Sequence, residues 1–206
     1  MLRSSHKLLL TLFCALALAG QSQTRSKKTD NDSLFQKDCY LEMKGTVKEM
    51  KGAEKEEEKL LDSVLVTISQ NGIPYTELWT NKKGRCSFKL ACDKTFHIEV
   101  SKPGYVTKFF EVNTKVAHDK RRAYSFVFDI DIFEEVKGLD VAVLQKPIAK
   151  VSYNHLEEQF AYDVTYTSRI NFELRKMYKN YYMLQKIEAD SVRIEEQKNL
   201  PAGNKK

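Results

Sequence analysis

The chain has 206 residues, 42% hydrophobic and 30% charged, with a formal net charge of +6. That is enough chain to bury one core with appendages. Acidic and basic residues are interleaved over most of its length, which argues against nucleic-acid binding, where Lys and Arg gather on one stripe. The two clear basic clusters, Arg25-Ser26-Lys27-Lys28 and Lys120-Arg121-Arg122, read as solvated surface.

The first residues read as a targeting segment. Arg3 and Lys7 precede an apolar run from Leu8 to Ala19, too short to span a bilayer, and Ala17-Leu18-Ala19 has the small-x-small form of a cleavage site. A signal peptide over 1–19 is expected, and therefore export. Removing Arg3 and Lys7 lowers the net charge to +4. Phe13 before Cys14 argues against lipidation there. No later apolar run has transmembrane length, so no membrane-spanning segment is expected after signal removal. Residues 20–38 are polar and read as a flexible leader.

Strand signals begin near Cys39. Tyr40 to Val47 fits a first strand, and the charged run Lys48 to Lys59 fits a surface loop. Ser63 to Ile68 is β-branched and ends at the turn dipeptide Asn71-Gly72. Pro74 to Thr80, Arg85 to Leu90, Thr95 to Val100, Val106 to Val112 and Ala123 to Phe133 follow, separated by turns at Asn81–Gly84 and Lys102–Tyr105. Cys86, Phe88 and Leu90 share one face of their strand. Tyr124, Phe126, Phe128, Ile130 and Ile132 share one face of the longest. Seven short strands roughly ten residues apart, with no room for helices between them, predict a mainly β sandwich or small barrel over 39–133 rather than a parallel sheet.

Residues 134–167 read as an extended or strand connection. Lys146 to Val151 is a short extended segment, and Phe160, Tyr162, Val164 and Tyr166 alternate as on a further strand. From Ser168 the period becomes helical: Ile170, Leu174, Met177, Tyr178, Tyr181, Leu184 and Glu188 form one stripe, apolar except at its end. An amphipathic helix over 168–197 is expected, then a disordered tail over 198–206.

With Cys14 removed, Cys39, Cys86 and Cys92 remain, an odd number. Cys86 and Cys92 have the same strand parity and are too far apart on a straight strand to bond each other. Buried free thiols are the expectation, with a bridge from Cys39 to Cys86 or Cys92 as the alternative.

Four motifs between Gly45 and Thr114 occur in a telling order. They are Gly45-Thr46-Val47; Ser63-Val64-Leu65-Val66-Thr67-Ile68; Thr80 to Leu90 with its central Gly84; and Ile98-Glu99-Val100-Ser101-Lys102-Pro103-Gly104-Tyr105. In order and spacing this segment resembles the carboxypeptidase regulatory-like domain of exported bacterial proteins, a transthyretin-like sandwich. The resemblance implies a seven-stranded antiparallel prealbumin-like fold, a place in the periplasm or at the cell surface of a bacterium, and a non-enzymatic role in recognition or support. It departs from the family in the long charged loop 48–59 and does not extend to 134–206.

Signals for chemistry are weak. His155-Leu156-Glu157-Glu158 has H-x-x-E spacing, but a catalytic zinc needs a third ligand, and no His in a recognisable context supplies it. Asp129 and Asp131 read as the solvated face of a strand rather than a calcium or acid–base pair. No phosphate loop, dinucleotide fingerprint or nucleophile elbow occurs, so no cofactor, metal or catalytic residue is assigned. The aromatic density of 153–182 is the remaining signal. Most of these rings are expected to pack the arm onto the sandwich; because tyrosine offers apolar area with a hydroxyl, Tyr162, Tyr166, Tyr178, Tyr181 and Tyr182 are the candidates for a partner surface. The reading is a binding or structural module of the cell envelope, with the helix meeting a protein partner or a second copy. Glycan or peptidoglycan binding through exposed tyrosines is the alternative, and a small metal-dependent hydrolase a more distant one.

Overall fold

The computed structural model describes residues 39–50 and 59–199. The expected signal peptide and leader, most of the charged loop and the tail beyond Asn199 lie outside the described residues. Nine strands and one long helix follow in order: β1 (Tyr40–Glu49), β2 (Leu65–Gln70), β3 (Ile73–Trp79), β4 (Arg85–Ala91), β5 (Thr95–Ser101), β6 (Lys108–Asn113), β7 (Ala123–Ile132), β8 (Lys150–Asn154), β9 (Gln159–Tyr162) and α1 (Val164–Asn199). Short 3-10 turns occupy His118–Lys120 and Ala142–Gln145.

The strands form two sheets, one in the order β4-β1-β7 and one in the order β3-β2-β5-β6-β8-β9. Side-chain alternation explains why they face each other. In β7 every second residue from Tyr124 to Ile132 is buried. Val66 and Ile68 of β2, Phe96, Ile98 and Val100 of β5, and Phe110 and Val112 of β6 close the opposite side of the same core. Asn71 and Gly72 both have positive φ and turn β2 into β3 with Gln70 opposite Ile73, the geometry of a two-residue hairpin. Gly45 has a different reason. A Cβ there would meet the Phe128 ring at 2.2 Å, so the small residue of the Gly-x-Val motif makes room for an aromatic from β7.

Several expectations are corrected. Among the described residues nine strands form rather than seven, because the strand segments expected within 134–167 join the body: β8 and β9 extend the second sheet, burying Val151, Tyr153 and Phe160. Nor is the pairing all antiparallel. β1 runs parallel to β7 and β6 parallel to β8, partners joined by long intervening chain as parallel pairing requires. The alternation ending at Tyr166 breaks off at Tyr162, and the helix starts at Val164 rather than Ser168. Asp163 Oδ1 accepts the Tyr166 N–H at 2.9 Å, an N-cap that sets this start. The helix also runs past residue 197 to Asn199.

The cysteines differ from the free-thiol expectation as well. Cys39 and Cys92 form a disulfide with Cα atoms 5.7 Å apart. Cys92 lies beyond the end of β4, where the chain turns through Asp93 at positive φ, so strand parity with Cys86 does not apply to it. Cys86 is free and buried opposite Gly45, and burial raises its thiol to about 11.

The disulfide joins residues 53 apart in sequence. A loop of that size predicts that C39S/C92S lowers the unfolding free energy by about 4 kcal/mol, measured as a shift in urea unfolding. Native Cys86 should stay unmodified by a thiol reagent at neutral pH and react once the chain is unfolded, as mapped by mass spectrometry.

Candidate functional site

Helix α1 has 36 residues and so is about 54 Å long. Its first half docks. Ile170, Leu174, Met177 and Tyr181 recur at helical spacing, and all are buried in a second apolar cluster with Val106, Phe133 and Leu144. Phe133 follows Ile132 directly, and both are fully buried. Ile132 points into the core between the sheets and Phe133 into the helix contact. The Val106 N–H donates to the Phe133 carbonyl at 2.9 Å, which holds that reversal in place.

Lys108 sits where the two clusters meet. It is 2% exposed, on the same inward side of β6 as Phe110 and Val112. Its Nζ donates to the Asp131 carbonyl oxygen of β7 and, at 3.1 Å, to the Tyr178 hydroxyl of α1. The same ammonium lies 5.2 Å from the ring centroids of Phe133 and Tyr178. One buried cation therefore ties β6, β7 and the helix together. Burial lowers its amine to about 8, opposed by the nearby Asp131 charge, and burial raises the Tyr178 hydroxyl to about 12.

The five tyrosines picked out in the sequence have different surroundings. Tyr181 is buried against Phe133, with ring centroids 4.5 Å apart, and its hydroxyl accepts from Gln185 at 2.7 Å. Tyr166 donates to the Pro147 carbonyl at 2.7 Å and lies under Lys150. Tyr178 holds Lys108. Tyr162 and Tyr182 are 40% and 37% exposed, each leaning edge-on against a neighbouring ring, Phe126 and Tyr181 respectively. The structure thus places three of the set in docking contacts and two at the surface.

The second half of the helix projects. From Lys186 to Lys198 every side chain is exposed, a length of about 20 Å. Phe172, Met183 and Ile194 recur every eleven residues, which is three turns with a drift of about 20°. With Ile187 between the last two they form one apolar stripe, 52–79% exposed and turned away from the docked face. The sequence reading missed this stripe because the docked stripe dominates the apolar periodicity.

The chemical motifs acquire ordinary partners. Glu158 is ion-paired with Lys120, and the His155 ring lies edge-on to Tyr153. Asp129 is ion-paired with Lys48 at 3.2 Å. Among the described residues no three His, Cys, Asp or Glu side chains converge as a metal site, and no helix is long and apolar enough to cross a membrane.

No family model and no curated protein matches the sequence. Among solved structures, the TIE protein of Bacillus anthracis is similar at 17% identity and a TM-score of 0.37, over 47% of this chain and 18% of that one. The 3-chlorocatechol 1,2-dioxygenase of Rhodococcus opacus is similar at 11% identity and a TM-score of 0.33, over 48% of this chain and 60% of that one. The chlorocatechol 1,2-dioxygenase of Pseudomonas putida is similar at 14% identity and a TM-score of 0.32, over 49% and 62%. The chain spans under two thirds of each of these proteins, and at these TM-scores none bears on its function.

Lys108 gives a pH test of the docking contact. In the unfolded chain the amine keeps its proton up to an ordinary value of about 10.4. Between pH 8 and 10 the unfolded state therefore binds more protons than the folded one, and stability rises with pH by up to about 3 kcal/mol. In urea unfolding, wild-type protein should gain stability over that window and Lys108→Met should not. Equal slopes would remove Lys108 as the titrating group.

Proposed function

We propose that the protein is an exported, non-catalytic binding module of the bacterial cell envelope, in which a two-sheet body presents helix α1 to a protein partner. The body is read as a sandwich of the carboxypeptidase regulatory-like, prealbumin-like type, on the motifs between Gly45 and Thr114. The signal-like segment 1–19 supports export, and a disulfide between Cys39 and Cys92 suits an oxidising compartment.

The observation that carries the reading is the stripe of Phe172, Met183, Ile187 and Ile194. A helical segment of this length is marginal in water without packing, and exposed apolar stripes mark contact surfaces. Glycan recognition is the weaker reading, because only Tyr162 and Tyr182 of the five tyrosines present rings to solvent.

Cutting the chain after Gln185 leaves the docked residues in place, unlike a cut at 167, which would uncover Phe133, Val106 and Leu144. The shortened protein should keep its unfolding midpoint within about 0.5 kcal/mol equivalent while losing self-association or crosslinks to its partner. M183S/I187S/I194S should reproduce that loss in the full-length chain. Unchanged size-exclusion and crosslinking behaviour for both would remove the helix as the contact surface.

A further inference from the structure

A second surface lies on the outward face of the six-stranded sheet. Register places Glu77, Thr67, Glu99 and Phe109 side by side across β3, β2, β5 and β6, with Trp79 beside Leu65 in the adjoining row. At the usual strand spacing this face is about 15 Å wide. At its β6 end a groove of about 560 Å³ opens between the sheet and the segment 135–145. Val106, Phe109, Val136, Leu139, Val141 and Leu144 supply its apolar lining, and Glu99 and Glu135 are its charged groups.

The charge of this face runs against that of the chain. The protein carries 34 Lys and Arg against 28 Asp and Glu. Yet the outward positions of these four strands hold Glu77, Glu99 and Glu111 and no Lys or Arg, since Lys108 points inward. Glu111 is ion-paired with Lys150 at 2.9 Å. Among the described residues Glu77, Glu99 and Glu135 have no Lys or Arg within ion-pair distance; Glu99 meets only His97, at 3.9 Å. Trp79, 61% exposed, stands at the far side, and the His97 ring is stacked on Phe109 at 4.2 Å.

From this we infer that the outer sheet face and its groove bind a basic, partly apolar peptide segment of another protein. One Lys or Arg side chain lies along Phe109 and Leu144 with its charge between Glu99 and Glu135. The segment then crosses the sheet past Glu77 to Trp79. The width of the face matches about five extended residues, more than a simple amine would span. Long basic side chains suit such a site because their methylenes cover apolar surface while the charge meets the carboxylates. The surface is separate from the projecting stripe of α1, so the two readings stand or fall independently.

Trp79 is the single tryptophan of the chain and serves as the reporter. Full-length protein is titrated at low salt with acetyl-Lys-Leu-Lys-Leu-Lys-amide, with the Glu-for-Lys counterpart and with n-hexylamine. The Lys peptide should give a saturable change in Trp79 fluorescence that weakens with added salt. E99Q/E135Q should bind it about fivefold more weakly, as expected for two exposed charge pairs. The chain cut after Gln185 should bind it unchanged. No saturable change, equal binding of the Glu peptide, unaltered affinity in E99Q/E135Q, or n-hexylamine binding as tightly as the pentapeptide would each overturn the assignment.

Discussion

An ammonium group buried among apolar side chains has to find its ligands within the protein, and at Lys108 those ligands come from two other elements. β7 offers the Asp131 carbonyl, and α1 offers the Tyr178 hydroxyl and ring. Removing either would leave a desolvated charge incompletely satisfied, a cost of several kcal/mol. The helix is thus positioned by a directional requirement in addition to the area it buries. Ile170, Leu174, Met177 and Tyr181 supply the area. Tyr178 supplies the register, because a helix rotated or slid by one residue would withdraw its hydroxyl from Nζ.

That contact divides α1 into two parts with different roles. Up to Tyr181 the helix completes a core, and Phe133 would be open to solvent without it. Past Gln185 it is held by its own backbone alone. A body with one sheet of three strands and another of six presents two further surfaces: the apolar stripe on α1, and the acidic, aromatic face of β3, β2, β5 and β6. Their chemistries differ, one apolar with mixed charge around it and the other acidic with a groove, so one ligand would not suit both.

Much of the architecture could be read from alternation and turns. β7 is visible as five inward aromatics and aliphatics, and β5 as Phe96, Ile98 and Val100. The β2–β3 hairpin is announced by Asn71-Gly72. What escaped has physical causes. The alternation of Phe160 and Tyr162 hints at β9, but β8 and β9 are only five and four residues long, and they join the sheet through a parallel pairing that local sequence does not encode. The helix start is set by one side chain, Asp163. Alternation along Val106 to Val112 does put Lys108 on the face of Phe110 and Val112, but its partners Asp131 and Tyr178 come from distant elements and are not visible in the sequence. The tyrosines were chosen by composition, which does not distinguish a ring that docks from one that is displayed. The acidic face depends on strand order, which sets Glu77 and Glu99 in one row across Thr67, and on the segment after β7, which adds Glu135 to the groove beside Glu99.

The bond between Cys39 and Cys92 also bears on how tension would pass through the molecule. β1 lies in the middle of its sheet, and its first residue pairs with both Ala91 and Ala123. A pull on the polypeptide ahead of Cys39 would, without the bond, act on that first pair and peel the strand away one rung at a time. With the bond, tension crosses into the turn between β4 and β5 and is shared by both sheets at once. A tether attached on that side would therefore meet the resistance of the whole body.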